Sequence, residues 1–211
     1  DAWAACQRAK SVLATRQATL DKLDARLGQT LALGGGGAAG STGSATESGV
    51  VVPGGGGSYG TLLDPQRPVP PAQELALTDL QGQAFDLQSE RGQWLLLTVD
   101  GAECAEACAR KLFMMRQNHA STGKNVVRID RVWLITDDAP VPEAVQTAYQ
   151  GTKMLRADPS QVRAFFGTDN PEKHIWIIDP LNNLMLRFPE DPDPIRMRSD
   201  LGRLLFASQV G

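Results

Sequence analysis

Two cysteines four positions apart, Cys104 and Cys108, stand in the stretch "VDGAECAEACARKLFMMRQ" (99–117). Thiols at that spacing have two chemistries open to them. As a dithiol they form and break a disulfide, with the thiolate as nucleophile. As a pair of soft thiolates they suit Cu(I). Residues i and i+4 are neighbours on one helical face, so the sulfurs come close enough to bridge once the first turn is slightly loosened. Amides at a helix N-terminus stabilise a thiolate placed there. A third use involves no chemistry, because free cysteine packs as a small hydrophobe. A structural zinc site wants four ligands, and the remaining cysteine, Cys6, lies beyond a glycine-rich segment.

The place of the pair in the chain favours chemistry. "WLLLTVD" (94–100) is a continuous apolar run, as a buried central strand should be, and the cysteines follow it at once. They open a helix that carries Cys108, Leu112, Met115 and His119 on one face to about Ala120. "RVWLITDD" (131–138) reads as a second buried strand, 142–149 as a helix, "KMLRA" (153–157) as a short third strand and "PSQVRAFFG" (159–167) as a helix begun by proline and stopped by glycine. "HIWIIDP" (174–180) and "LMLRFP" (184–189) form two strands around a turn, and 194–208 closes the chain with a helix. Ahead of these, 74–93 alternates apolar and polar residues about Gln81 and Gly82, a short hairpin. This order predicts an α/β fold with a central sheet and helices on both faces, its chemically privileged edge lying where strand gives way to helix.

The flanks are of another kind. Residues 1–33 read as an amphipathic helix with Leu13, Leu20, Leu23, Leu27 and Leu31 in one stripe, suited to docking on its own domain, on another protein or on a second copy. Residues 34–57 begin and end with four glycines and read as a flexible linker, with the composition of an engineered join as much as a natural one. Residues 58–73 form a proline-rich extended arm, and 74–211 the globular domain. The chain carries 21 basic and 24 acidic residues, a net charge of -3, which offers no basic field to nucleic acid. No stretch approaches the roughly 18 apolar residues of a membrane span, and none reads as a signal peptide. No P-loop, dinucleotide fingerprint or Ser-His-Asp spacing occurs.

Three segments, "GQWLLLTVDGAECAEACARKLFMMRQ", "VWLITDD" and "HIWIIDPLNNLMLRFPEDPDP", resemble the thioredoxin-like Sco (SenC) proteins, and more closely a bacterial Sco-like branch of membrane-anchored proteins. With "YGTLLDPQRPVP" the resemblance spans 59–211. It implies a thioredoxin-like fold and copper, Cu(I) or Cu(II), held by Cys104, Cys108 and a histidine. It also implies a role in assembling the copper centre of cytochrome c oxidase, with oxidase subunit II as partner. The implied location is the periplasmic side of the bacterial inner membrane, with a native N-terminal anchor helix where this chain has its linker and amphipathic segment. The family's histidine lies about nine positions before the strand-ending proline, which here is Pro171; His174 stands six before Pro180 and is the ligand candidate.

The alternative reading is a thiol-disulfide oxidoreductase that keeps the cysteines of subunit II reduced. Cys104, as the more exposed sulfur, would attack, Cys108 would resolve, and a thioredoxin-like reductant would recharge the pair. A binding module with an idle dithiol is the third. A peroxidase wants threonine and arginine near its cysteine, and "GAECAEAC" supplies neither. Among the remaining residues, Asp100, Asp137 and Asp138 end strands beside the active edge and read as turn formers. Met114, Met115, Met185 and Met197 read as core, "EDPDP" (190–194) as a turn before the last helix, and His119 as structural.

Overall fold

A computed structural model describes residues 57–208 and, apart from them, Ala18. The expected helix over 1–33, the linker over 34–57 and Cys6 lie outside the described residues, save Ala18 and Gly57.

The strands are β1 (Thr61–Pro68), β2 (Leu77–Thr78), β3 (Ala84–Phe85), β4 (Trp94–Asp100), β5 (Ile129–Ile135), β6 (Thr152–Ala157), β7 (Ile175–Ile178) and β8 (Asn183–Arg187). The helices are α1 (Glu106–Ala120), α2 (Glu143–Ala148), α3 (Pro159–Phe166) and α4 (Pro194–Ala207). All eight strands form one mixed sheet in the order β1-β8-β7-β4-β5-β6-β2-β3. β4, β5 and β6 run parallel, while β7 lies antiparallel to β4 on its other side.

β4 is therefore central, and its unbroken apolar sequence reflects burial on both faces. Leu95, Leu97 and Val99 pack with Val132, Leu134, Leu155 and the α3 residues Val162, Phe165 and Phe166. Trp94 and Leu96 face the opposite layer, with Met114 and Met115 of α1 and Met197, Leu201 and Leu205 of α4. Each such fully buried large side chain contributes about 1.5–3 kcal/mol. Met114, Met115, Met185 and Met197 are all core residues here, as their spacing predicts.

Local signals set the helix ends. Asp158 caps α3 on the amides of Ser160 and Gln161, and Gly167, with φ of 66°, ends it in the left-handed region. Asp193, within "EDPDP", caps α4 on the amides of Ile195 and Arg196, with Pro194 in the first turn. The hairpin turns as expected, Asp79 Oδ1 accepting from the amides of Gln81 and Gln83.

The arm over 58–73 enters the sheet as β1, antiparallel to β8, with the register interrupted between Leu62 and Arg67. Pro65 and Pro68 lack amide hydrogens, so such a strand is confined to an edge, which is where β1 lies. Its entry is fixed by Asp200 of α4, whose carboxylate accepts from Ser58 Oγ at 2.9 Å, Tyr59 N at 3.0 Å and Gly60 N at 2.7 Å.

Candidate functional site

Cys104 and Cys108 are joined as a disulfide with their Cα atoms 5.0 Å apart. The local route to that bond is a turn ahead of the helix. Cys104 N donates to Gly101 O at 3.2 Å, and Cys104 itself has φ of 49°, the left-handed region that non-glycine residues seldom adopt. α1 begins two residues later, with Ala105 at its N-cap and no side-chain cap, so Cys108 sits in the first turn. This is the loosened first turn that the four-residue spacing required.

The loop carrying Cys104 is tied at the start of its turn. Asp100 Oδ1 accepts from Gly101 N at 2.9 Å, and both Asp137 carboxylate oxygens accept from Ala102 N at 3.2 Å. A Cβ at Gly101 would stand 2.5 Å from Asp137 Oδ2 and would have to push that carboxylate aside. Asp100 and Asp137 are turn formers, as expected, and the turn they form is the one that delivers the disulfide. Asp138 is exposed.

The sulfurs rest on an apolar cluster of Ala102, Leu112, Phe113, Trp133, Ile135, Val141, Val145 and Tyr149. The sequence reading made Cys104 the more exposed sulfur. In the disulfide both residues are closed, at 2% and 1% exposure, because the left-handed turn folds Cys104 back onto Cys108 over this cluster. The covering residues Glu103 and Ala105–Ala107 are themselves exposed, so one short loop separates the disulfide from solvent.

His174 follows a 3-10 turn, Pro171–Lys173, and precedes β7. Trp176 Nε1 donates to Pro171 O at 2.9 Å and pins that turn to the strand. The His174 ring lies edge-on to Trp176, 5.6 Å between centroids, and Nδ1 is 2.8 Å from Phe188 O. A carbonyl only accepts, so Nδ1 carries the proton and Nε2 keeps its lone pair. Burial lowers the His174 pKa from the ordinary 6.5, with Arg187 and Lys111 adding to the effect and the Phe188 bond and Glu190 opposing it. At neutral pH the ring is a neutral base with one nitrogen oriented by the backbone, the usual state of a metal-binding imidazole.

Among the described residues, no three His, Cys, Asp or Glu side chains are gathered into a metal-holding group. The disulfide brings the two cysteines together; His174 is not assembled with them in this oxidised form. His119 is elsewhere, its Nε2 2.8 Å from Val126 O beyond the far end of α1, a structural role as expected. A cavity of about 830 Å³ between β1 and α3, walled by Leu63, Arg67, Glu74, Gln161 and Phe165, includes neither the cysteines nor His174.

Sequence reasoning missed Lys111. It lies one turn beyond Cys108 on α1 and is only 7% exposed. Its Nζ donates to Val99 O and Asp100 Oδ2, both at 3.0 Å, and to Glu172 O. Burial lowers its pKa from 10.5, and the Asp100 carboxylate works against that shift. The signal was present in "KLFMM" (111–115), a lysine at the head of a helical stretch that is buried at every position.

The fold resembles several solved structures. It is similar to apo Sco1 from Thermus thermophilus at 19% identity and a TM-score of 0.54, covering 72% of this chain and 98% of that one. It is similar to yeast Sco1 at 12% identity and a TM-score of 0.56, covering 67% and 99%. A third is Arabidopsis thaliana ScoI with copper bound, at 13% identity and a TM-score of 0.53, covering 63% and 96%. At these identities the likeness is one of fold, and the fold is thioredoxin-like. No curated protein matches the sequence. Among the described residues no helix is long and apolar enough to cross a membrane. A family model, the transmembrane-like, thioredoxin-like C-terminal domain, matches residues 94–208, which run from the central strand through both cysteines and His174 to the end of α4, and the chain belongs to that family.

Proposed function

We propose that the chain is a Sco-like copper carrier, its reduced Cys104 and Cys108 holding Cu(I) for delivery to the copper centre of cytochrome c oxidase. The observation that carries this reading is the disulfide itself. It shows two sulfurs within bonding reach, at the first turn of a helix that follows the central strand. Reduced, they form a pair of soft thiolate donors of the kind Cu(I) prefers. His174 supports the reading with a neutral ring whose Nε2 is available, and yeast Sco1, a protein of the same fold, has also been solved with copper bound.

Delivery proceeds by ligand exchange, incoming thiolates of oxidase subunit II replacing Cys104 and Cys108 one at a time. The place of action is the periplasmic face of the inner membrane.

The closed disulfide and the ungathered histidine favour one second reading, a thiol-disulfide oxidoreductase acting on the same subunit. The Cys104 thiolate attacks a substrate disulfide, forms a mixed disulfide and releases one substrate thiolate. Cys108 then attacks the Cys104 sulfur, releases the second thiolate and restores the intramolecular bond. The substrate is reduced by two electrons, the protein is oxidised by two, and a thioredoxin-like reductant resets it. Both schemes need the loop over 103–107 to open, because both sulfurs are buried.

Cys104→Ser tests the two together. It is expected to abolish Cu(I) retention and disulfide exchange. Retention of both activities would remove the dithiol from the mechanism.

A further inference from the structure

Lys111 ties together the parts that the proposed site must coordinate. Its ammonium donates to Val99 O and to the Asp100 carboxylate at the end of β4, immediately before the cysteine loop. It also donates to Glu172 O, two residues before His174. On α1 it stands three positions after Cys108, on the neighbouring turn of the same helix.

A buried ammonium is an expensive way to fill this space. Taking it from water is costly, and a hydrophobic side chain of similar volume often gives an equal or more stable fold. What a methionine lacks here is three directed donors reaching two backbone segments and a carboxylate. The His174 ring is held by Phe188 O and by its T-shaped contact with Trp176, so the backbone leading to it and the imidazole itself are fixed by separate partners.

We propose that Lys111 is a positioning residue that makes the His174 turn move with the dithiol loop, so that opening or closing the Cys104–Cys108 bond is transmitted to the imidazole. The inference rests on reading Cys104, Cys108 and His174 as one site. The disulfide supplies the two-state element that such coupling requires. The route is short: the cysteine loop, the end of β4 and the first turns of α1, the ammonium, then the carbonyl of Glu172 and His174.

The test needs no metal. The chain has two histidines, His119 and His174, so selective labelling of imidazole gives one reporter and one internal control. Nuclear magnetic resonance of the full chain is compared before and after reduction with dithiothreitol, at fixed pH. The His174 resonances are expected to shift on reduction while those of His119 stay in place. Lys111→Met is expected to lose most of the His174 response, and Lys111→Arg to recover part of it. Asp100→Asn, which keeps the lysine and its two carbonyl acceptors, gives a weaker response and serves as the measurement should the methionine variant not fold. A His174 response of wild-type size in both Lys111→Met and Asp100→Asn overturns the proposal, as does a wild-type His174 that ignores reduction. A wild-type chain that binds no Cu(I) yet keeps its Lys111-dependent response upholds the coupling and counts against the copper assignment alone.

Discussion

Asp200→Asn is the sharpest test of how the N-terminal arm is held to the domain. Asp200 is 2% exposed and accepts from Ser58 Oγ, Tyr59 N and Gly60 N. Burial alone would raise its pKa, but those donors and the Arg203 guanidinium together hold it below the ordinary 3.8. Asparagine keeps the shape, loses the charge and turns an NH2 toward groups that themselves donate. Hydrogen bonds to a charged acceptor contribute about 1.5–3 kcal/mol each, and the amide oxygen retains part of that set, so the net loss is about 2–3 kcal/mol. The Arg203 side chain is half exposed and adds little. For a domain near this size, 1 kcal/mol corresponds to about 2–4 °C, so the melting temperature should drop by roughly 4–12 °C.

The pH dependence follows from the direction of the shift. A carboxyl whose folded pKa is depressed gives its full stabilisation above the unfolded value and loses it as pH falls through the folded value. The gap between wild type and variant should therefore be widest at neutral pH and close as the pH drops below 3.8. Urea unfolding of both proteins at neutral pH and at steps down to about pH 3 measures it. A neutral-pH difference below about 0.5 kcal/mol, or a difference that persists unchanged into acid, refutes the argument.

Gly101→Ala should cost about 1–2 kcal/mol, because the new Cβ displaces the Asp137 carboxylate from Ala102 N; thermal unfolding reads it, and a neutral variant contradicts it. Arg131→Met should be neutral or stabilising by about 1 kcal/mol. Arg131 is 7% exposed; its Nη2 donates to Gln150 O at 3.1 Å, while Nε and Nη1 have no partner among the described residues, so a clear loss on denaturant unfolding would mean that the Gln150 bond outweighs the two buried unpaired donors. His174→Ala should weaken Cu(II) binding far more than Cu(I) binding, as measured by competition titration; equal affinities before and after would make the histidine structural.

The sequence displayed the fold well where burial dominates. The unbroken run Trp94–Asp100 told of a strand covered on both faces, and the Pro159 start and Gly167 stop of α3 were written in residues with one backbone preference each. β1 was harder to see, because with Pro65 and Pro68 the segment reads as an extended arm, and only the flank of β8 gives it a partner. The cysteine pair was legible from spacing and from its place after β4. Its closure was not: the left-handed turn at Cys104 depends on Asp137, 33 residues further along, holding Ala102. The run "KLFMM" signals the burial of Lys111 but not its partner, since nothing near it in sequence announces Glu172 O as its acceptor. Local preferences are readable in a sequence; bonds that reach across the sheet edge emerge only when the strands are in place.

The central claim is that the reduced Cys104–Cys108 pair is a Cu(I) site. Its most direct test is titration of the fully reduced chain with Cu(I) against a competing chelator, beside the variant in which both cysteines are serine. The account predicts tight one-to-one binding that disappears in the double variant. Equal retention of Cu(I) by the two proteins, or none by either, would contradict it.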